Sequence, residues 1–174
     1  MESTRPPMTF KFDSTPHVLV VEARYYDDIA DLELRGAKTV LERVGVSYDV
    51  VTVPGALEIP AAILYAVKSL NFDVVRRRYD GYVALGCVLK GDTHHDQIVG
   101  SESARSLQEL TLNYALAVGN GILTCNTREQ ALDRADPERQ DRGGAAVEAC
   151  LRLIELKHRF RLSPKRRWMA IRSR

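Results

Sequence analysis

Short runs of aliphatic and β-branched residues alternate along the chain with longer stretches whose apolar positions recur every three or four residues. This is the pattern of βα units stacked around a parallel sheet. The run HVLVVEA at 17–23 predicts a first strand. It leads into a helix from about Asp27 to Val44 on which Ile29, Leu32, Ala37, Val40, Leu41 and Val44 share one face, with Gly45 as its stop. YDVVTV at 48–53 predicts the second strand, broken by Pro54 and Gly55, and the rest of PGALEIPAAILYAVKSL reads as a helix with Pro60 in its first turn. After a basic loop, Arg76-Arg77-Arg78, comes a third strand, YVALGCV at 82–88. A long helix follows, with Ile98, Val99, Leu107, Leu110 and Tyr114 on one side, and then a fourth strand at 116–124. Two further helices, Arg128 to Ala135 and about Gly144 to Leu156, end the pattern, the second carrying Ala146, Ala149, Cys150, Leu153 and Leu156 at helical spacing.

The pattern divides the chain into three parts. Pro6, Pro7 and Pro16 mark residues 1–16 as an extended arm, 17–157 form one α/β domain, and 158–174 form a basic tail. At 174 residues the chain is long enough to bury a core without disulfide staples.

Charge sharpens this division. Residues 157–174 hold 8 of the 25 Lys and Arg and no acid, which leaves 17 bases against 23 acids in the body. The tail reads as a solvated terminus, and no nucleic-acid role is assigned to it. No apolar run of membrane-spanning length and no secretory leader pattern occurs, so a cytoplasmic protein without membrane attachment is expected. Cys87, Cys125 and Cys150 are odd in number and widely spaced, which argues against a disulfide framework and against a thiolate metal site. Of the four histidines only the adjacent His94 and His95 could belong to a site, and they lack helical metal-ligand spacing, so no metal is expected.

In open parallel α/β sheets ligands bind beyond the carboxyl ends of the strands, where loops and helix N-termini converge. Four segments are expected to share that rim: Arg24-Tyr25-Tyr26, Gly55-Ala56-Leu57-Glu58, Lys90-Gly91-Asp92-Thr93-His94-His95, and Gly119-Asn120-Gly121. The KGDTHH segment offers backbone N–H groups and a hydroxyl ahead of a helix, as an oxyanion requires. The same residues also read as an ordinary strand-to-helix turn with Asp92 or Thr93 as N-cap. A histidine opening the next helix can move protons near neutral pH, or be a plain surface side chain. Tyr25 can stack on a flat heterocycle or pack in the core. Glu58 suits both a helix dipole and a polyhydroxylated ligand. Arg134 and Arg142 are ordinary helix arginines unless a phosphate binds there.

Taken together, ARYYDDIAD, VPGALEIP, YVALGCVLKGDTHHDQIV, GNGILTCNTREQALDRA and the Gly-rich start of the last helix resemble the lumazine synthase family in order and spacing over roughly residues 17–157. The resemblance implies a flavodoxin-like three-layer αβα sandwich with a four-stranded parallel sheet. It also implies a homo-oligomer, a pentamer here, with each active site shared between neighbours, and no cofactor. The implied reaction joins two small-molecule substrates, 5-amino-6-(D-ribitylamino)uracil and 3,4-dihydroxy-2-butanone 4-phosphate, giving 6,7-dimethyl-8-ribityllumazine, phosphate and water in riboflavin biosynthesis.

The resemblance assigns roles residue by residue. Tyr25 stacks on the pyrimidine, Ala56 and Glu58 hold the ribityl chain with Leu57 between them also binding substrate, and the Cys87-Val88-Leu89 backbone binds ring polar groups. Gly91, Asp92 and Thr93 cradle the phosphate, and His95 is the catalytic acid/base. From the neighbouring subunit Asn120 faces the ring and Arg134 pairs with the phosphate, while Arg142 adds a further charge. The chain departs from the family in Asn120, where an aromatic is common, in Lys90 for a frequent Arg, and in Arg142 for the usual Lys. The two charge-conserving exchanges keep the charge and change its geometry. The rival reading is a relative that keeps the pocket and scaffold as a ligand binder without turnover. A nucleotide-binding switch has no support, since no GxGxxG follows the first strand.

Overall fold

The computed structural model describes residues 8–69 and 79–162. In chain order these form β1 (His17–Ala23), α1 (Asp27–Val44), β2 (Ser47–Val53), one 3-10 turn (Ala56–Glu58), α2 (Ile59–Ser69), β3 (Gly81–Leu89), α3 (His95–Asn113), β4 (Val118–Cys125), α4 (Arg128–Ala135) and α5 (Arg142–Arg159). The four strands are parallel in the order β2-β1-β3-β4.

Strand alternation sends the apolar side chains to two different layers. Val18, Val20, Val83 and Leu85 face Ala37, Val40 and Leu41 of α1 and Val147, Cys150, Leu151 and Ile154 of α5. Leu19, Val21, Tyr82 and Ala84 face Ile59 and Ile63 of α2 and Leu107 and Leu110 of α3. A third cluster joins Ile29 to Cys87, Leu123, Cys125, Ala131 and Ala135, closing the carboxyl end of the sheet with α1 and α4. The result is the three-layer αβα sandwich that the resemblance implies.

Close helix-to-sheet packing depends on two glycines. A methyl group on Gly119 would lie 1.9 Å from the Ala146 carbonyl oxygen, and one on Gly143 would lie 2.1 Å from that of Glu33. Glycine at these positions lets α5 settle directly onto β4 and α1. Gly45 ends α1 with φ +74°, the left-handed stop expected of it. At the start of α5 the Asp141 side chain accepts a hydrogen bond from the Gly144 N–H at 3.0 Å.

Several boundaries shift from expectation. The expected second helix opens as the 3-10 turn, and α5 runs on to Arg159, taking in the first residues of the expected tail. Leu107 and Leu110 of α3 are buried, but Ile98 and Tyr114 are exposed. The first turns of α3 stand over open recesses, so the apolar face expected to run its whole length is buried only from Ser103 to Leu110. Pro6 and Pro7, the Arg76–Arg78 loop and the tail beyond Leu162 lie outside the described residues. The described part of the arm packs back on α5: Phe10 and Phe12 stack at 5.9 Å, and the Lys11 N–H donates to Glu155. His17 is structural, its ring nitrogens engaging Ser47 at 2.9 Å and Asp49 at 3.1 Å.

All three cysteines are free and buried. Burial pushes the Cys87 and Cys150 thiols up to about 12. The Cys150 thiol donates to the Ala117 carbonyl at 3.4 Å. Among the described residues no cluster of His, Cys, Asp or Glu could hold a metal ion. None of the described helices is long and apolar enough to cross a membrane.

Candidate active site

Three strand ends meet around one cleft of about 390 Å³. From β1 comes Tyr25, 73% exposed, so its ring does not pack in the core. The loop carrying it is held by Arg24, whose guanidinium donates to Glu22 at 3.3 Å, Asp27 at 3.1 Å and Asp31 at 2.6 Å. Tyr26 meets Tyr25 edge-on at 4.9 Å and lies under the Arg128 guanidinium at 5.8 Å. From β2, Gly55 in extended conformation opens the 3-10 turn, burying Ala56 and leaving Leu57 and Glu58 exposed toward the cleft.

β3 supplies the floor as Cys87, Val88 and Leu89. With its pKa held near 12, the Cys87 thiol is no nucleophile at neutral pH. Lys90 continues the ladder through its N–H to the Cys125 carbonyl at 2.9 Å. Residues 91–95 are exposed. His94, not Asp92 or Thr93, occupies the N-cap position of α3 and makes no capping side-chain bond. The Thr93 hydroxyl reaches only the His95 N–H, at 3.4 Å. The first turn of α3 therefore keeps unsatisfied N–H groups at the cleft, where an anion is favoured. A methyl on Gly91 would meet nothing within 4 Å, so that glycine is not required by packing inside this subunit.

Ten of the fourteen expected site residues thus line one cleft: Tyr25, Ala56, Leu57, Glu58, Cys87, Val88, Leu89, Gly91, Thr93 and His95. Tyr26 and Gly55, from two of the expected rim segments, line it too, and Asp96 and Val99 join them without having been expected. Asp96 and Val99 have no sequence signal beyond their place in the first turns of α3, next to His95. Asp92 is exposed on the loop and does not line the cleft.

Asn120, Arg134 and Arg142 lie elsewhere. Asn120 is not at a carboxyl end: it sits third in β4, opposite Ala84, because the strand begins at Val118 and runs on to Cys125. Its side-chain oxygen accepts from the Ile122 N–H at 2.9 Å. It lines a second recess of about 720 Å³ between α3 and β4, which shares Val88 and Asp96 with the cleft. Arg134 on α4 donates to the Gln130 carbonyl at 3.2 Å, and Arg142 is exposed at the start of α5, 3.4 Å from Gln140 Oε1. The rim is therefore built from three segments, and the fourth faces outward along the open edge of β4.

Comparison with known proteins gives a consistent result. The profile of the family described as 6,7-dimethyl-8-ribityllumazine synthase matches residues 15–158. The chain is similar to the 6,7-dimethyl-8-ribityllumazine synthase of Bartonella bacilliformis, 52% identical over 88% of this chain and 97% of the relative. It is similar also to that of Agrobacterium fabrum, 52% identical over 84% of this chain and 98% of the relative. The 6,7-dimethyl-8-ribityllumazine synthase 1 of Rhizobium meliloti is 54% identical over 83% of this chain and 93% of its own.

Proposed function

Since the chain belongs to the 6,7-dimethyl-8-ribityllumazine synthase family and is a transferase of riboflavin biosynthesis, we propose that the cleft between Tyr25, Glu58 and His95 is where its two substrates meet. The observation that carries this reading is the convergence of an exposed aromatic, a carboxylate, an apolar floor and an uncapped helix N-terminus on one cavity.

Each part answers a need of the reaction. Tyr25 stacks on the pyrimidine of 5-amino-6-(D-ribitylamino)uracil, the backbone of Cys87, Val88 and Leu89 meets its ring polar groups, and Ala56, Leu57 and Glu58 hold the ribityl chain. Gly91, Thr93 and the backbone of Asp92, whose carboxylate turns away, receive the phosphate of 3,4-dihydroxy-2-butanone 4-phosphate, with the dipole of α3 behind it. His95 moves protons as the amine attacks the ketone, water leaves to give the imine, and phosphate is eliminated. Fixing two reactive molecules side by side supplies much of the acceleration. Asn120 and Arg134 serve the cleft of a neighbouring subunit, and Arg142 adds positive charge near the phosphate. The enzyme is cytoplasmic and works as a homopentamer, a size that sedimentation measures directly.

The test is formation of the lumazine from the two substrates, followed by absorbance. We expect turnover in the natural protein and a fall of about tenfold or more in His95→Ala, with the lumazine still bound. Binding of the lumazine with no turnover in the natural protein would instead establish the ligand-binding scaffold. Tyr25→Ala should raise KM about tenfold, in line with the loss of one stacking contact, with a smaller change in kcat.

A further inference from the structure

Glu33 lies on the inner face of α1 with no exposed surface, and neither of its carboxyl oxygens has a hydrogen-bond partner. Such a group is costly, and it lies near Gly86 and Cys87, where β3 enters the cleft floor. β1 pairs with β3 only as far as Glu22 opposite Leu85, whereas β4 accompanies β3 to Leu89. The floor, Gly86 through Leu89, therefore has a strand on one side only, and its position depends on what lies beneath it. Ile29 of α1 packs there against Cys87. Glu33 is one turn further along the same helix.

Every neighbouring element contributes to the environment of this carboxyl. The Gly86 backbone of β3 is near enough to favour the charged form without completing a hydrogen bond. Glu22 on β1 opposes the charge, and Glu33 in turn helps to raise the Cys87 thiol on β3 and the Cys125 thiol on β4. Arg24 is engaged by Glu22, Asp27 and Asp31, while Arg134 of α4 acts on Cys125. α5 presents Gly143 against the Glu33 backbone and Asp141 beside Gly36. Among the described residues no cation pairs with Glu33, and burial holds its carboxyl well above the usual carboxylate range.

We propose that Glu33 is a positioning residue for the cleft: as a neutral acid it supports the Gly86–Leu89 floor from below, and loss of its proton to solvent loosens that floor and weakens ligand binding. An ionised Glu33 must draw in water or move away from Glu22, and either displaces the strand end above it. The proposal rests on the reading of the cleft as the substrate site. It is a property of α1, not of any residue placed in contact with substrate.

Calorimetric titration of the assembled, full-length protein with 6,7-dimethyl-8-ribityllumazine, from the usual carboxylate range up to the highest pH at which the assembly persists, tests it. The natural protein is expected to bind about tenfold more weakly at the alkaline end. Glu33→Gln, which keeps the shape and removes the titrating proton, should lose that weakening. Glu33→Leu should lose it too, so that poor folding of one variant leaves the other to decide. A flat profile in the natural protein, or the same alkaline weakening in either variant, overturns the proposal. Tyr25→Ala is the control on the cleft itself: if it binds the lumazine as tightly as the natural protein, the cleft reading falls and the proposal with it. If Tyr25→Ala binds poorly while the Glu33 variants follow the natural pH profile, only the role of Glu33 falls.

Discussion

Arg134→Ala is expected to lower kcat/KM for lumazine formation about 100-fold, close to 2.7 kcal/mol of transition-state stabilisation. A guanidinium pairs with a phosphate through two charge-assisted hydrogen bonds, and Arg→Ala leaves that dianion short of both. Within one subunit Arg134 does not line the cleft and its guanidinium donates to the Gln130 carbonyl of its own helix. On the proposed reading its effect on catalysis is expected in a neighbour's cleft. The proof is a mixed assembly. Co-expressed His95→Ala and Arg134→Ala chains, each at about a tenth of natural activity or less alone, should together recover about a quarter of it, because about one interface in four pairs an intact His95 with an intact Arg134. Recovery absent from a mixture whose assembly is confirmed would place both residues in the same subunit's site.

Glu33→Leu is expected to raise folding stability by about 2–3 kcal/mol at neutral pH, a rare gain for a core substitution. The natural side chain is buried with both oxygens unpartnered, and leucine fills similar space with nothing to satisfy. The pH dependence has a definite sign. Because the folded-state pKa is raised, the folded protein holds this proton more tightly than the unfolded chain. Stability is thus highest at and below the ordinary carboxylate range, and falls as pH rises from there through the folded pKa. The leucine chain lacks this fall, so its advantage widens with pH. Urea unfolding at fixed protomer concentration, at several pH values, measures the widening. A gain in stability accompanied by loss of the alkaline control of binding would be a trade-off between rigidity and function.

The strands were legible because each is short, β-branched and bounded by glycine, proline or polar turns; HVLVVEA and YVALGCV leave little room for another reading. The cleft was legible where its residues follow a strand directly, as Tyr25, Ala56 and Thr93 do. Asn120 stands off the rim because β4 pairs with β3 from Val118 to Cys125 and carries it mid-strand, as the predicted run 116–124 would also do. Glu33 escaped notice although it lies four residues from both Ile29 and Ala37, on the apolar face, since a charged residue at such a position normally turns to solvent. On the proposed reading Asn120 and Arg134 act on a second copy of the chain, which no single-chain pattern reports. Periodicity in one sequence reports only the faces that a single chain buries.

The three buried thiols carry a consequence for the kinetics of opening. Cys150 sits between α5 and the sheet, fully buried, with its proton held by both burial and the Ala117 carbonyl. A thiol that scarcely ionises and never meets solvent in the folded state cannot react with an alkylating reagent until the helix above it lifts. Its modification rate is therefore a clock for detachment of α5. The Gly119 and Gly143 contacts, which seat that helix, are what the clock reads.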